Sequence, residues 1–192
     1  MIAGLAGDAG KTLVTIGLIR ALRGRGCKIA PFKKGPDFID PAWLSCAAGR
    51  PAGSLDTFLM SQDAILTSLA SVRDADVVVL ATPVRTIMRL VDELGPLLPS
   101  GCVLMDLGST KAQITERMAQ LPATVEPLGA HPMCGRESSG LAAADPALYQ
   151  GCLFVLSPLA RTSPETLSLG QALVRAVGGR SLVLDAQRHD RL

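Results

Sequence analysis

The residues best suited to chemistry stand at the start of the chain. Gly4-Leu5-Ala6-Gly7-Asp8-Ala9-Gly10-Lys11-Thr12 follows the short apolar opening Met1-Ile2-Ala3 and leads into an apolar stretch with helical spacing. Glycines let backbone N–H groups curl round a phosphate, and a helix start adds partial positive charge. A lysine can then reach the β and γ oxygens, and a threonine hydroxyl can hold Mg²⁺. Gly7, Gly10, Lys11 and Thr12 are therefore candidate nucleotide ligands in a phosphate loop (P-loop) with one residue of extra spacing, and ATP and Mg²⁺ are the implied ligands. Asp8 opposes an anion in that nest. Further on, the run from Ala30 to Pro41 brings Lys33, Lys34, Asp37 and Asp40 together after a second apolar run. That is the carboxyl edge where α/β sheets bind ligands, although a charged loop is more often simply solvated.

Two other places invite a chemical role. His131 stands among Gly129, Pro132 and Gly135, where a solitary histidine is more often structural than catalytic. Cys102-Val103-Leu104-Met105-Asp106 has the four apolar residues and terminal acid of a Walker B strand, which with Lys11 and Thr12 would complete an ATPase. A buried parallel strand ending in an acid gives the same pattern, and that plainer explanation is preferred.

Positioning such groups requires alternating strands and helices. Residues 28–32, 76–81, 102–106, 153–156 and 181–185 read as strands, and residues 12–25, 84–98, 111–120 and 164–177 carry helical spacing. The uninterrupted Val77-Val78-Val79-Leu80 implies burial on both faces, as parallel sheets require. Residues 34–41 and 49–53 are Pro/Gly-rich interruptions. Before about Leu66 the chain reads as strand, Gly loop, helix and a long irregular segment; beyond it the alternation is regular. The expected class is α/β, a parallel-sheet Rossmann-like and P-loop hybrid in three αβα layers.

Composition narrows the function. Of 192 residues, 48% are hydrophobic and 19% charged, enough for a sizeable core. A net charge of +2 with 3% aromatics offers neither a basic stripe nor stacking platforms, so nucleic acid is not an expected partner. Five scattered cysteines without a Cys-x-x-Cys pair argue against a disulfide framework or a zinc site and fit a reducing cytoplasm. No apolar run approaches the ~20 residues a bilayer needs.

Two resemblances add to this. Residues 4–60 resemble the N-terminus of the cobyrinic acid a,c-diamide synthase family in Gly10-Lys11-Thr12, in Lys33-x-Gly35-Pro36-Asp37-Phe38-Ile39-Asp40-Pro41 and in Leu55-Asp56. The resemblance implies an ATP-dependent amide ligase acting on a corrinoid carboxylate. Lys11, Thr12, Lys33, Asp37 and Asp40 would be its nucleotide, Mg²⁺ or substrate contacts. The family's glutaminase domain has no visible counterpart.

Residues 67–192 resemble the prephenate dehydrogenase family. The markers are Ala75 to Val84, Asp106-Leu107-Gly108-Ser109-Thr110-Lys111, Gly129 to Gly135, and His189-Asp190-Arg191. This resemblance is the longer of the two. It implies hydride removal from the ring carbinol carbon of prephenate to NAD or NADP, with loss of CO₂ and formation of 4-hydroxyphenylpyruvate in tyrosine biosynthesis. By resemblance His131 accepts the hydroxyl proton, Ser109 orients substrate and nicotinamide beside it, Thr82 and Pro83 line the cofactor crevice, and His189 supports the substrate side.

Departures are visible. The P-loop stands where the family has Gly-x-Gly-x-x-Gly, Lys33 and Lys34 replace the ribose-binding acid and tilt preference toward NADP, and Cys134 and Arg136 occupy positions expected to be small or weakly polar. The helical domain that carries a carboxylate-gripping arginine would begin where the sequence stops at Leu192. The expectation is thus a partial P-loop unit at 1–66 joined to a partial dehydrogenase segment at 67–192, cytoplasmic, with a homo-oligomer as one option. Its prephenate activity would be impaired. The alternatives are a fragment of the corrinoid amide ligase and a non-catalytic nucleotide-binding fusion.

Overall fold

The computed structural model describes residues 11–24, 26, 28–33, 39–55, 59–70, 75–134 and 149–192. Its main sheet has five strands in the order β3 (Val77–Leu80), β4 (Val103–Asp106), β5 (Glu126–Pro132), β6 (Leu153–Pro158) and β7 (Arg180–Val183). Pairing is parallel from β3 to β5 and again from β6 to β7, while β5 and β6 run antiparallel. The expected parallel sheet therefore carries one antiparallel junction. A short parallel pair, β1 (Phe32–Lys33) with β2 (Gly53–Ser54), forms a separate sheet. Among the described residues no N-terminal strand joins the main one.

Helices cover both faces. On one side α4 (Val84–Leu94) buries Ile87, Leu90, Val91 and Leu94, the i, i+3, i+4, i+7 stripe that an amphipathic helix presents to a sheet. It packs with Ile114 and Met118 of α5 (Ala112–Met118) on Leu80 of β3 and Leu104 of β4. On the other side α6 (Pro164–Ala176) sets Leu173 and Val174 against Met105, Leu128, Ala130, Phe154 and Leu156. The N-cap of α6 is Ser163, whose hydroxyl accepts the Thr166 amide at 3.2 Å. Leu22 of α1 (Lys11–Arg23) joins this second cluster, while Ile19 of the same helix packs on Leu44, Ala47 and Ala48 of α2 (Ile39–Ala48). The three-layer order is as expected.

Residue 66, where the sequence changes character, lies within α3 (Gln62–Ala70). Strand β5 was not legible in the sequence, because Pro127, Gly129 and Pro132 all disfavour strands. Tertiary contact overrides propensity here. A Cβ on Gly129 would lie 3.0 Å from the Ser157 carbonyl oxygen of β6 and 3.1 Å from the Thr115 methyl, so the close approach of β6 and α5 calls for glycine. A short last helix, α7 (Ala186–His189), is capped by Asp185, which accepts the Arg188 amide at 2.9 Å.

Candidate functional site

Three parallel strands end side by side, and each delivers polar residues to one edge. After β3 come Thr82 and Pro83; after β4 comes the turn from Leu107 to Lys111; His131 is near the end of β5. His131 therefore belongs to a strand and not, as its neighbours suggested, to a loop. Its side chain is on the α5 face of the sheet, opposite that of Ala130, because successive strand residues alternate.

The backbone under His131 is held by two buried charges. Asp106 and Lys111 are both 0% exposed and form an ion pair. The Lys111 ammonium also donates to the Ala130 carbonyl at 2.7 Å. Asp106 accepts the Gly108 amide at 2.7 Å and the Ala130 amide at 3.4 Å. Both backbone polar groups of the residue preceding His131 are thus fixed by one carboxylate–ammonium pair. Burial raises the Asp106 carboxyl and lowers the Lys111 ammonium from their ordinary values, and each partner's charge opposes the other's shift. Gly108 is required in this turn, since a Cβ would sit 2.6 Å from the Ile114 Cδ1 and 3.0 Å from the Asp106 Oδ2.

His131 is part of a relay. Its Nδ1 is 2.9 Å from the His189 Nε2, and the rings meet edge to face at 5.1 Å between centroids. The His189 Nδ1 is 2.7 Å from the Asp190 Oδ1. Asp190 in turn accepts the amides of Lys111 at 2.6 Å and Ala112 at 2.8 Å, tying α7 to the start of α5 across the sequence. Burial works to raise the Asp190 carboxyl, but the Ala112 amide, the His189 side chain and the Lys111 amide outweigh it and hold it below its usual value.

An ionised Asp190 accepts a hydrogen bond from the His189 Nδ1–H, which leaves Nε2 of that ring to accept one from the Nδ1–H of His131. This hydrogen-bond logic assigns the tautomers and places the His131 lone pair on Nε2.

Burial, then the His189 and Lys111 charges, lowers the pKa of His131 from 6.5 to about 4, and Asp190 opposes the shift. The fold thus favours the neutral ring. Its contribution to stability is complete above the unfolded value of 6.5 and is lost as pH falls toward about 4. The chain has two histidines, so ring resonances are simple to assign. An NMR pH titration is expected to show the His131 ring neutral at pH 6, with its midpoint well below 6.5. A midpoint at or above 6.5 would contradict the burial of the ring.

The other expected site residues fall in several places. Ser109 is exposed in the turn after β4 and makes no hydrogen bond to His131 among the described residues. His189 lies against His131 itself. The Thr82 hydroxyl is buried and has no hydrogen-bond partner among the described residues, and Pro83 is the N-cap of α4. Lys33 pairs with Asp40 at 3.5 Å, so a candidate cofactor ligand and a candidate Mg²⁺ ligand neutralise one another. Lys11 and Thr12 lie in α1, at the edge of the described residues. Gly7, Gly10 and Asp37 lie outside the described residues. No cluster of metal-ligating side chains occurs among the described residues, and none of their helices is long and apolar enough to cross a membrane.

Residues 57–183 match the family model of the prephenate dehydrogenase nucleotide-binding domain. The chain belongs to that family. As a prephenate dehydrogenase nucleotide-binding domain, it shares its fold with two solved enzymes. Prephenate dehydrogenase from Aquifex aeolicus matches with a TM-score of 0.66 and 24% identity, covering 95% of this chain and 61% of that one. Arogenate dehydrogenase from Synechocystis matches with a TM-score of 0.70 and 22% identity, covering 96% and 60%. A second likeness accompanies the dehydrogenase domain. Cobyrinate a,c-diamide synthase from Magnetococcus marinus is 49% identical over 74 residues, which is 38% of this chain and 16% of that protein. The chain thus spans about three fifths of the matched dehydrogenases and about a sixth of the matched synthase.

Sequence reasoning missed the parts that hold His131 in place. Lys111 and Asp190 were visible as motif residues without a role, and Asp106 also as the acid that ends a Walker B-like strand. A lysine five residues after a strand-ending acid, with Gly108 between them, was the available signal for the buried pair.

Proposed function

We propose that the chain is an NAD(P)-dependent oxidoreductase acting on a prephenate-type cyclohexadienol, with His131 as the proton acceptor. The observation that carries this is the His131–His189–Asp190 relay at the carboxyl edge of parallel strands, where α/β folds bind their ligands. The buried, unpartnered Thr82 hydroxyl at the end of β3 fits a nicotinamide nucleotide, because a buried hydroxyl without a partner is costly unless a ligand satisfies it. Thr82 and Pro83 would line that crevice. When bound, the cofactor supplies the hydride acceptor. His131 then takes the substrate hydroxyl proton on Nε2, and the growing positive charge is stabilised through His189 by Asp190. Asp106 and Lys111 keep the ring in place by fixing Ala130. Ser109, exposed at the same edge, is available to the substrate.

The identity to cobyrinate a,c-diamide synthases supports a second reading, in which the N-terminal segment of about 66 residues binds ATP at Lys11 and Thr12 with Mg²⁺. Titration calorimetry with NAD⁺, NADP⁺ and ATP separates the two. Saturable NAD(P)⁺ binding is expected, weakened roughly three- to tenfold by Thr82→Val, the worth of one hydrogen bond. Binding of ATP alone, abolished by Lys11→Ala, would overturn the dehydrogenase reading in favour of the ligase one. Failure to bind any of the three would reject both.

A further inference from the structure

A second group of reactive side chains lies on the other face of the sheet. Cys134 follows the end of β5, and Cys152 precedes β6. The register pairs Pro132 with Phe154, and the Met133 amide donates to the Leu153 carbonyl at 2.8 Å, which carries the pairing on to Cys134 opposite Cys152. Pro132 has no N–H, so the pair it forms with Phe154 is a non-hydrogen-bonded one. Two residues on, the cysteine pair has the same character. Such pairs bring Cα atoms to about 4.5 Å, within the range of about 4.4 to 6.8 Å that a disulfide spans. The Cys152 side chain lies close enough to Cys134 to help push its thiol up.

Tyr149 completes the cluster. Its hydroxyl is raised to about 12 by burial and then by Cys134 and Cys152, and its ring packs edge to face on Phe154 at 5.2 Å. Both cysteines are half-buried, so a small reagent can reach them.

We infer that Cys134 and Cys152 are a dithiol site that low-molecular-weight disulfides oxidise to an internal cross-strand disulfide. The Cys152 thiolate attacks the reagent disulfide, forming a mixed disulfide and releasing one reagent thiolate. The Cys134 thiol then loses its proton to solvent and attacks the Cys152 sulfur, forming the protein S–S bond and releasing the second reagent thiolate. Two protein thiols are oxidised and one reagent disulfide is reduced to two thiols. Cys134, whose thiol is pushed up to about 12 by burial and by Cys152, is written as the resolving thiol, and the exchange balances in the same way with the two exchanged. The bond would pin the end of the strand that carries His131 to its neighbour β6.

The test uses the full chain and oxidised glutathione, followed by native alkylation and non-reducing trypsin digestion. Cleavage after Arg117, Arg136 and Arg161 puts Cys134 and Cys152 in separate peptides, so the bond appears as a linked pair that reductant splits. The exposed Cys46 is an internal control for reagent reactivity, and the buried Cys102, raised to about 11, is expected to stay a thiol. Cys134→Ser and Cys152→Ser should each abolish the cross-link, the remaining cysteine carrying glutathione at most. The inference is overturned if both cysteines stay thiols while Cys46 reacts. It is equally overturned if each carries its own glutathione without a cross-link, or if the link forms to a different cysteine.

Discussion

Replacing Lys111 by methionine is expected to lower the stability of the fold by about 3 to 5 kcal/mol, the usual result of removing one partner from a buried ion pair. The ammonium of Lys111 is the counter-ion of Asp106 and a donor to the Ala130 carbonyl, and neither charged side chain touches solvent. Methionine fills much the same space, so the loss is electrostatic and is not a cavity effect. It leaves Asp106 buried with only the Gly108 and Ala130 amides, and it strips the Ala130 carbonyl of its donor. Adding Asp106→Leu should recover much of the loss, because an apolar pair of similar volume replaces a desolvated ionic one at little cost. Urea unfolding of the two single variants and the double variant measures the coupling. A single-variant loss below about 1 kcal/mol, the worth of an exposed pair, would show that the pair is not buried as described.

Asp190→Asn is expected to lower turnover by about 10² to 10⁴, the range over which a positioned general base contributes. The substitution keeps the shape, but an amide has one acceptor oxygen where the carboxylate has two. With that oxygen in the place of Oδ1 it still accepts from the Lys111 amide and from His189 Nδ1, while its NH₂ faces the Ala112 amide, which loses its acceptor. The negative charge is gone, so the positive charge that grows on His131 as it takes the substrate proton is no longer stabilised through His189. Cofactor affinity should be unchanged within a few-fold, because Asp190 touches His189 and the start of α5 and none of the residues at the end of β3. An Asp190→Asn enzyme with parental kcat would remove the relay from the account.

Much of the scaffold could be read from residue types. The run Val77 to Leu80 formed the expected parallel strand, half-buried at the sheet edge except for Leu80, and the stripe Ile87, Leu90, Val91 and Leu94 carries the helical period plainly. The run Cys102 to Asp106 proved to be a buried parallel strand ending in an acid. Strand β5 did not announce itself, since its prolines and glycine are tolerated only through contacts with β6 and α5 supplied by distant sequence. The site divides in the same way. His131 and His189 stood out through the dehydrogenase resemblance, but their mutual hydrogen bond joins residues from β5 and α7 and depends on how those elements pack. The roles of Asp106 and Lys111 were hidden because a charged pair in a polar turn looks solvated until the burial of both is known. The Cys134 and Cys152 contact arises from the antiparallel junction, which the expected parallel sheet did not contain.

The claim at the centre of the account is that the neutral His131 imidazole accepts the proton when the substrate alcohol is oxidised. The most direct test incubates prephenate with NAD⁺ or NADP⁺ and the full chain, and follows reduced cofactor and 4-hydroxyphenylpyruvate together for the parent and for His131→Asn. The account predicts equimolar formation of both products by the parent. It also predicts a drop of about 10² to 10⁴ in kcat for His131→Asn, with cofactor binding retained. A measurable parental rate that His131→Asn leaves unchanged would contradict it.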